Sequence, residues 1–253
     1  MKNIHLKNIV IGEGKPKICI PIVATDITEA KKQAENIKNY PVDIIEIRGD
    51  YLEKCLDVEY SLETIKSVSE IIDVPIIYTF RTKSEGGEKD ISNEDYFKLL
   101  KGILSGGATD LIDVELFKGD EFVEDLIHFA HQCGVRVIVS NHEFTRTPVK
   151  IDLILRLVKM QSLGADIAKI AVMPKNKSDV LTLLDATDEA YEQFMNIPIV
   201  TMSMGKEGMV SRMTGEFFGS CITFGTAGKA SAPGQVGAED LSDILDIIHR
   251  QIG

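Results

Sequence analysis

The amino-acid sequence predicts a single (β/α)8 barrel over residues 1–253, with an N-terminal β-hairpin closing the barrel bottom. Three observations predict it. The 253 residues suit one closed α/β barrel, which typically takes about 250. Eight short β-branched runs begin at intervals of 24 to 34 residues. Most intervals between them carry apolar residues at helical period, and alternating strands and helices make a parallel sheet that eight units close.

The elements follow in order. The segment IHLKNIVIGEG alternates around Lys7-Asn8 and reads as a hairpin. The runs are KICIPIVA from Lys17, DIIEIR from Asp43, PIIYTF from Pro75 and TDLIDVEL from Thr109. VRVIVS from Val135, DIAKIAV from Asp166, IPIVTMSM from Ile197 and CITFGT from Cys221 complete them. Ser92 opens a capping box with Asp95. Pro148 fits the first turn of a helix running through Leu153, Leu157 and Met160, which Leu163-Gly164 closes. No linker or composition shift marks a second domain. A doubly wound open sheet is the competing architecture.

A formal net charge of −11 argues against a nucleic-acid partner, since phosphate binding needs clustered cations. The same charge repels an anionic small molecule at long range, so a few local cations must hold any such substrate. No apolar run approaches the roughly 18 residues of a membrane span. The N-terminus lacks the order of a signal peptide. Cys19, Cys55, Cys133 and Cys221 are dispersed without a CxxC pair. Thiols in a reducing cytoplasm are the simple reading.

Function is carried by polar residues where apolar ones belong. Alternation puts Ile44, Glu46 and Arg48 on one strand face and Ile45 and Ile47 on the other. Neither face of a barrel strand is comfortable for charge, and a buried Glu46–Arg48 pair seldom improves stability over apolar packing. Lys169 stands in the otherwise apolar Ile167-Ala168-Lys169-Ile170-Ala171-Val172. Desolvation favours a neutral amine, the species that condenses with a carbonyl. A lysine snorkelling to water is the bland alternative. His142 follows VRVIVS, Arg81 follows IIYTF, and Glu85 lies in the Ser84-Glu85-Gly86-Gly87-Glu88 loop. Glu115 ends the fourth strand without an assigned role. Arg212 follows the seventh strand, and Ser231 and Gln235 follow the eighth. All lie at one rim, where active sites of this fold gather.

His128 and His131 share a helix face but lack a third ligand, so they read as solvated rather than metal-binding. His5 and His249 sit in terminal elements with nothing catalytic nearby. Gly228-Lys229-Ala230 fails as a phosphate loop.

TFRTKSEGGE, VIVSNHEF, DIAKIAVMP, TMSMGKEGMVSR and TFGTAGKASAPGQ, in this order and spacing, resemble the type I 3-dehydroquinate dehydratases from about Ile18 through Gln235. The resemblance implies a hydro-lyase of the shikimate pathway, converting 3-dehydroquinate to 3-dehydroshikimate through a lysine Schiff base, with no cofactor or metal. It casts Lys169 as the covalent amine, His142 as the acid/base and Glu85 as the carboxylate that orients it. Arg212 would hold the substrate carboxylate, and Glu46, Arg48 and Arg81 would make polar contacts to the ring hydroxyls and carboxylate end. Ser231 and Gln235 would belong to a closing loop, and Met202 and Phe224 would line the pocket. A homodimer is the family's usual state. The nearest rival is a class I aldolase sharing the lysine, against which Arg212, Ser231 and Gln235 suit a carboxylate and hydroxyls better than a phosphate. A catalytically silent barrel is the other, but it would be expected to lack the lysine or the histidine.

Overall fold

A computed structural model describes residues 3–228 and 234–252. The chain opens with the hairpin β1 (Ile4–Leu6) and β2 (Ile9–Ile11), antiparallel across Lys7-Asn8. Then come β3 (Lys17–Ile22), α1 (Ile27–Ile37), β4 (Ile44–Arg48), α2 (Val58–Ser69), β5 (Ile76–Thr79) and α3 (Asn93–Ser105). The second half contains β6 (Leu111–Glu115), α4 (Asp120–Gln132), β7 (Arg136–Glu143), α5 (Lys150–Ser162), β8 (Ile167–Val172) and α6 (Lys177–Glu189). It ends with β9 (Ile199–Ser203), two one-turn helices α7 (Val210–Met213) and α8 (Gly215–Phe218), β10 (Ile222–Thr226), β11 (Val236–Gly237) and α9 (Ala238–Ile252).

Strands β3 to β9 pair in parallel in sequence order, and β10 returns to pair with β3. The seam between β9 and β10 is thin. It rests on the Cys221 amide donating to the Ile199 carbonyl at 2.9 Å and on the Ser220 hydroxyl accepting from the Thr201 amide at 3.0 Å. The barrel is closed, and β11 adds a short parallel strand on the edge of β10 opposite β3.

Strand starts are stapled by a recurring aspartate. Asp43, Asp110 and Asp166 each accept the backbone N–H of a neighbouring strand, from Ile18, Ile76 and Val137, at 2.8 Å. Helix starts use side-chain caps, as at Ser92, whose hydroxyl accepts from the Asp95 amide at 3.0 Å. Gly164, at φ 98°, ends α5 in the left-handed region. Pro148 is displaced from its expected place: Val149 is the extended N-cap of α5, so the proline precedes the helix.

The outward strand residues, such as Ile45, Ile47, Ala168 and Ile170, pack on the helices. The inward file begins apolar, with Cys19, Ile44, Ile77, Leu111, Ile138, Ile167 and Ile222 around the barrel floor. Ile4 and Ile11 of the hairpin join that cluster, which closes the bottom with apolar contact.

Candidate active site

Climbing β4 to β8 by two residues changes the inward file from apolar to polar, because side chains alternate. Above the floor stand Glu46 on β4, Thr79 on β5, Asp113 on β6, Ser140 on β7 and Lys169 on β8. One step higher come Arg48, Arg81, Glu115 and His142. A cavity of about 220 Å³ opens here, lined among others by Glu46, Arg48, Glu85, His142, Lys169 and Arg212. Arg81, Met202, Phe224 and Gln235 also line it. Ser231 of the expected closing loop lies outside the described residues.

Lys169 is the third residue of a six-residue strand and is 4% exposed. It does not snorkel. Its Nζ lies 3.5 Å from Asp113 Oδ2 and 3.8 Å from Glu46 Oε1. The Phe224 ring faces it, 4.5 Å from Nζ to the centroid. Thr79 donates to Glu46 Oε1 at 2.9 Å, fixing that carboxylate.

His142 belongs to β7, which runs three pairs beyond VRVIVS because it keeps pairing with β8 through Glu143↔Val172. Glu85 ends a 3-10 turn at Lys83–Glu85, where Gly86 takes φ 84°. Its Oε2 accepts the His142 backbone N–H at 2.9 Å and sits 3.1 Å from ring Nδ1. Burial is the largest influence on Glu85 and carries its carboxyl up to about 7, against the pull of Arg81. Burial likewise drives the His142 imidazole well below its ordinary value, and the cations Arg81, Lys169 and Arg48 push the same way. At neutral pH His142 is therefore an uncharged base.

Arg81 lines the cavity, as expected of a substrate contact, and is also tied to its neighbours. It is 4% exposed, and its guanidinium donates to Asp113 Oδ1 at 2.7 Å, Glu115 Oε1 at 3.1 Å and Ser140 Oγ at 3.0 Å. That makes it a buried strut between strands as well as a wall of the cavity. Glu115, which had no role from sequence, also accepts from the Thr82 amide and hydroxyl at 2.8 and 2.7 Å. It anchors the start of the Glu85 loop. Burial opposes the charge on Asp113, but Arg81, Lys169 and the Ser140 hydrogen bond outweigh it and hold its carboxyl below the usual range.

Arg48 is gripped by Asp50, with Nε and Nη2 donating to its two oxygens at 2.8 Å each. Asp50 also accepts the amides of Arg81 at 3.3 Å and Glu88 at 3.1 Å. Arg212 in α7 is 2% exposed, and burial brings its guanidinium down to about 10, so it remains a cation at neutral pH. Its carbonyl accepts from Thr223 at 2.9 Å, fastening α7 to β10.

Asp113, Asp50, Ser140 and Asn141 are functional neighbours that sequence reasoning passed over. For Asp113 a signal existed: it shares an alternating face with Glu115 in TDLIDVEL. Among the described residues, no group of three or more His, Cys, Asp or Glu is placed to hold a metal ion. His131 pairs with Asp166 at 2.8 Å and His128 with Gln132 at 2.9 Å, as befits a solvated face. No described helix is long and apolar enough to cross a membrane.

A family model described as type I 3-dehydroquinase matches residues 18–252. The chain is 46% identical over 259 residues to the 3-dehydroquinate dehydratase of Clostridioides difficile, covering 99% of each. It is 46% identical over 254 residues to that of Listeria monocytogenes, covering 99% and 100%. Among solved structures, a type I 3-dehydroquinate dehydratase from Clostridium difficile with covalently modified comenic acid superposes at TM-score 0.95, with 45% identity over 100% and 99% of the chains. The Enterococcus faecalis 3-dehydroquinate dehydratase superposes at 0.91, with 41% identity over 96% and 98%. A 3-hexulose-6-phosphate synthase, 18% identical at TM-score 0.59, shares the fold alone.

Proposed function

The chain belongs to the type I 3-dehydroquinase family, and from that membership we propose how its own side chains divide the reaction. It is a lyase that removes water from 3-dehydroquinate to give 3-dehydroshikimate through a lysine Schiff base. The observation that carries the assignment of roles is the buried Lys169 amine sharing one cavity with a histidine whose ring is fixed by a carboxylate.

The unprotonated Lys169 amine adds to the C3 ketone, and loss of water leaves a cationic imine. Asp113 and Glu46, 3.5 and 3.8 Å from the nitrogen, lie where that cation develops. The imine draws electrons from C2, so its proton passes to Nε2 of His142 and an enamine forms. General-base help of this kind contributes about 10²–10⁴-fold. The enamine expels the C1 hydroxyl, which takes the proton back from His142 and departs as water. Hydrolysis of the conjugated imine returns the ketone and the amine.

Glu85 accepts Nδ1–H and so presents Nε2 to the substrate. Arg212 receives the substrate carboxylate with its fork, which answers how a chain of net charge −11 binds an anion. Glu46, Arg48 and Gln235 serve the ring hydroxyls and carboxylate end, and Met202 and Phe224 supply the apolar walls. Ser231 is assigned to the closing loop by resemblance alone. Arg81 joins Glu46, Arg48 and Gln235 in those polar contacts and also holds Asp113 and Glu115. A cytoplasmic homodimer suits the family likeness and the free thiols Cys19, Cys55, Cys133 and Cys221, and sedimentation tests the assembly.

Borohydride reduction in the presence of 3-dehydroquinate, followed by peptide mass spectrometry, tests the mechanism. A stable adduct on Lys169 is expected. An adduct on another lysine, or none, would overturn the role of Lys169.

A further inference from the structure

Arg156 lies on α5, outside the barrel, yet its Nη1 donates to Asn141 Oδ1 at 2.6 Å. A guanidinium only donates. The Asn141 oxygen must therefore face Arg156, and its NH2 group must face the other way. There it donates to Glu85 Oε1 at 3.2 Å. Glu85 Oε2 already accepts the His142 backbone N–H at 2.9 Å. Both carboxylate oxygens are thus met by fixed donors. The remaining contact, to His142 Nδ1 at 3.1 Å, is then best completed by an Nδ1–H donating to Glu85. That tautomer leaves Nε2 as the proton-accepting atom.

We propose that Arg156 is a positioning residue for the dehydration: through Asn141 and Glu85 it sets, from outside the barrel, the tautomer of His142. With the guanidinium gone, Asn141 is free to turn over and offer its oxygen to Glu85. Two oxygens in that contact are compatible only with a protonated Glu85, which no longer demands Nδ1–H. The balance is sensitive because burial already carries the Glu85 carboxyl up to about 7. The charged groups facing the pair are Arg81 after β5, Glu115 on β6, Lys169 on β8 and Arg48 on β4. Arg156 itself faces Glu143 at 3.8 Å and the Phe117 ring at 5.4 Å. Neither of these is part of the cavity lining, so Arg156 reaches the chemistry by the Asn141 route.

The inference rests on His142 being the base, and the test separates the two. Steady-state kinetics across pH, borohydride trapping and thermal melting are measured for Arg156→Met, Arg156→Lys, Asn141→Asp, His142→Ala and Glu85→Ala, and for Glu85→Ala combined with Arg156→Met. Arg156→Met is expected to lower kcat by about 10–100-fold through misorientation of a reacting group, with KM unchanged. Its acid limb should move to higher pH, and the Lys169 adduct should still form. Arg156→Lys, which keeps a donor, should recover most of the loss. In the Glu85→Ala background, Arg156→Met should change nothing further. Wild-type kcat in Arg156→Met, or an equal additional loss in the Glu85→Ala background, overturns the relay. Should Arg156→Met not fold, Asn141→Asp decides: it sets an acceptor against Glu85, and an unchanged kcat would overturn the relay equally. Normal turnover by His142→Ala would remove the base assignment and the relay with it. A dead His142→Ala beside an unaffected Arg156→Met removes the relay alone.

Discussion

Glu85 Oε2 meets one residue twice, accepting the backbone N–H of His142 at 2.9 Å and lying 3.1 Å from its ring Nδ1. The backbone bond fixes where the carboxylate sits, and the ring bond then fixes the imidazole's rotation and tautomer. Burial holds the Glu85 carboxyl up to about 7 and drives the His142 imidazole well below its ordinary value, so the carboxyl is the member of the pair that titrates nearest neutrality. Activity needs the carboxylate ionised, so kcat should fall as pH drops through about 7. In Glu85→Gln the amide cannot ionise, and the low-lying His142 is the group left to titrate. The acid limb of the kcat profile should therefore move to lower pH while the plateau drops. An acid limb unmoved in Glu85→Gln would assign it to some other group.

Removing Asp113 should cost both stability and chemistry. Asp113→Ala takes from Arg81 its 2.7 Å partner and from Lys169 the carboxylate 3.5 Å away. Breaking a buried pair from one side typically costs about 3–5 kcal/mol. Arg81 keeps Glu115 at 3.1 Å and Glu85 at 3.5 Å, which argues for the lower end. Urea denaturation measures the first effect and the rate of borohydride-trapped imine the second. An unchanged midpoint would mean that Glu115 and Glu85 together satisfy Arg81.

The barrel was legible because parallel strands buried on both faces write themselves as β-branched runs, and each of the eight runs became a strand. Lys169 was legible for the same reason: one lysine among Ile167, Ala168, Ile170 and Ala171 leaves snorkelling as the bland explanation, and a central strand makes that hard. Asp113 was harder, since a lone aspartate beside a strand usually caps a neighbouring amide, as Asp110 does for Ile76. Only three-dimensional register shows that Asp113 points at an amine two strands away. Arg156 was not legible at all. An arginine in a helix reads as solvated, and the partner that gives it meaning, Asn141, is an outward residue of another element. The length of β7 was missed because pairing with β8, not local propensity, carries it through His142.

The hairpin should contribute to stability and not to turnover. Ile11 is fully buried among the floor residues, so Ile11→Ala leaves a cavity costing about 2–5 kcal/mol. The catalytic groups stand higher in the barrel, above that floor. Thermal or denaturant unfolding should register the loss, while kcat and KM at a temperature well below the transition stay at wild-type values. A changed KM would mean that the floor transmits its packing to the cavity.

Arg212 should act on capture more than on chemistry. A carboxylate bound by a guanidinium fork is held alike in the ground and transition states, so its loss appears chiefly in KM. Hydrogen bonds to charged groups contribute about 1.5–3 kcal/mol, which converts to a KM rise of about 10–100-fold for Arg212→Ala. Arg212→Lys restores a charge without the planar pair of donors and should fall between the two. An unchanged KM in Arg212→Ala would remove this arginine from the binding site.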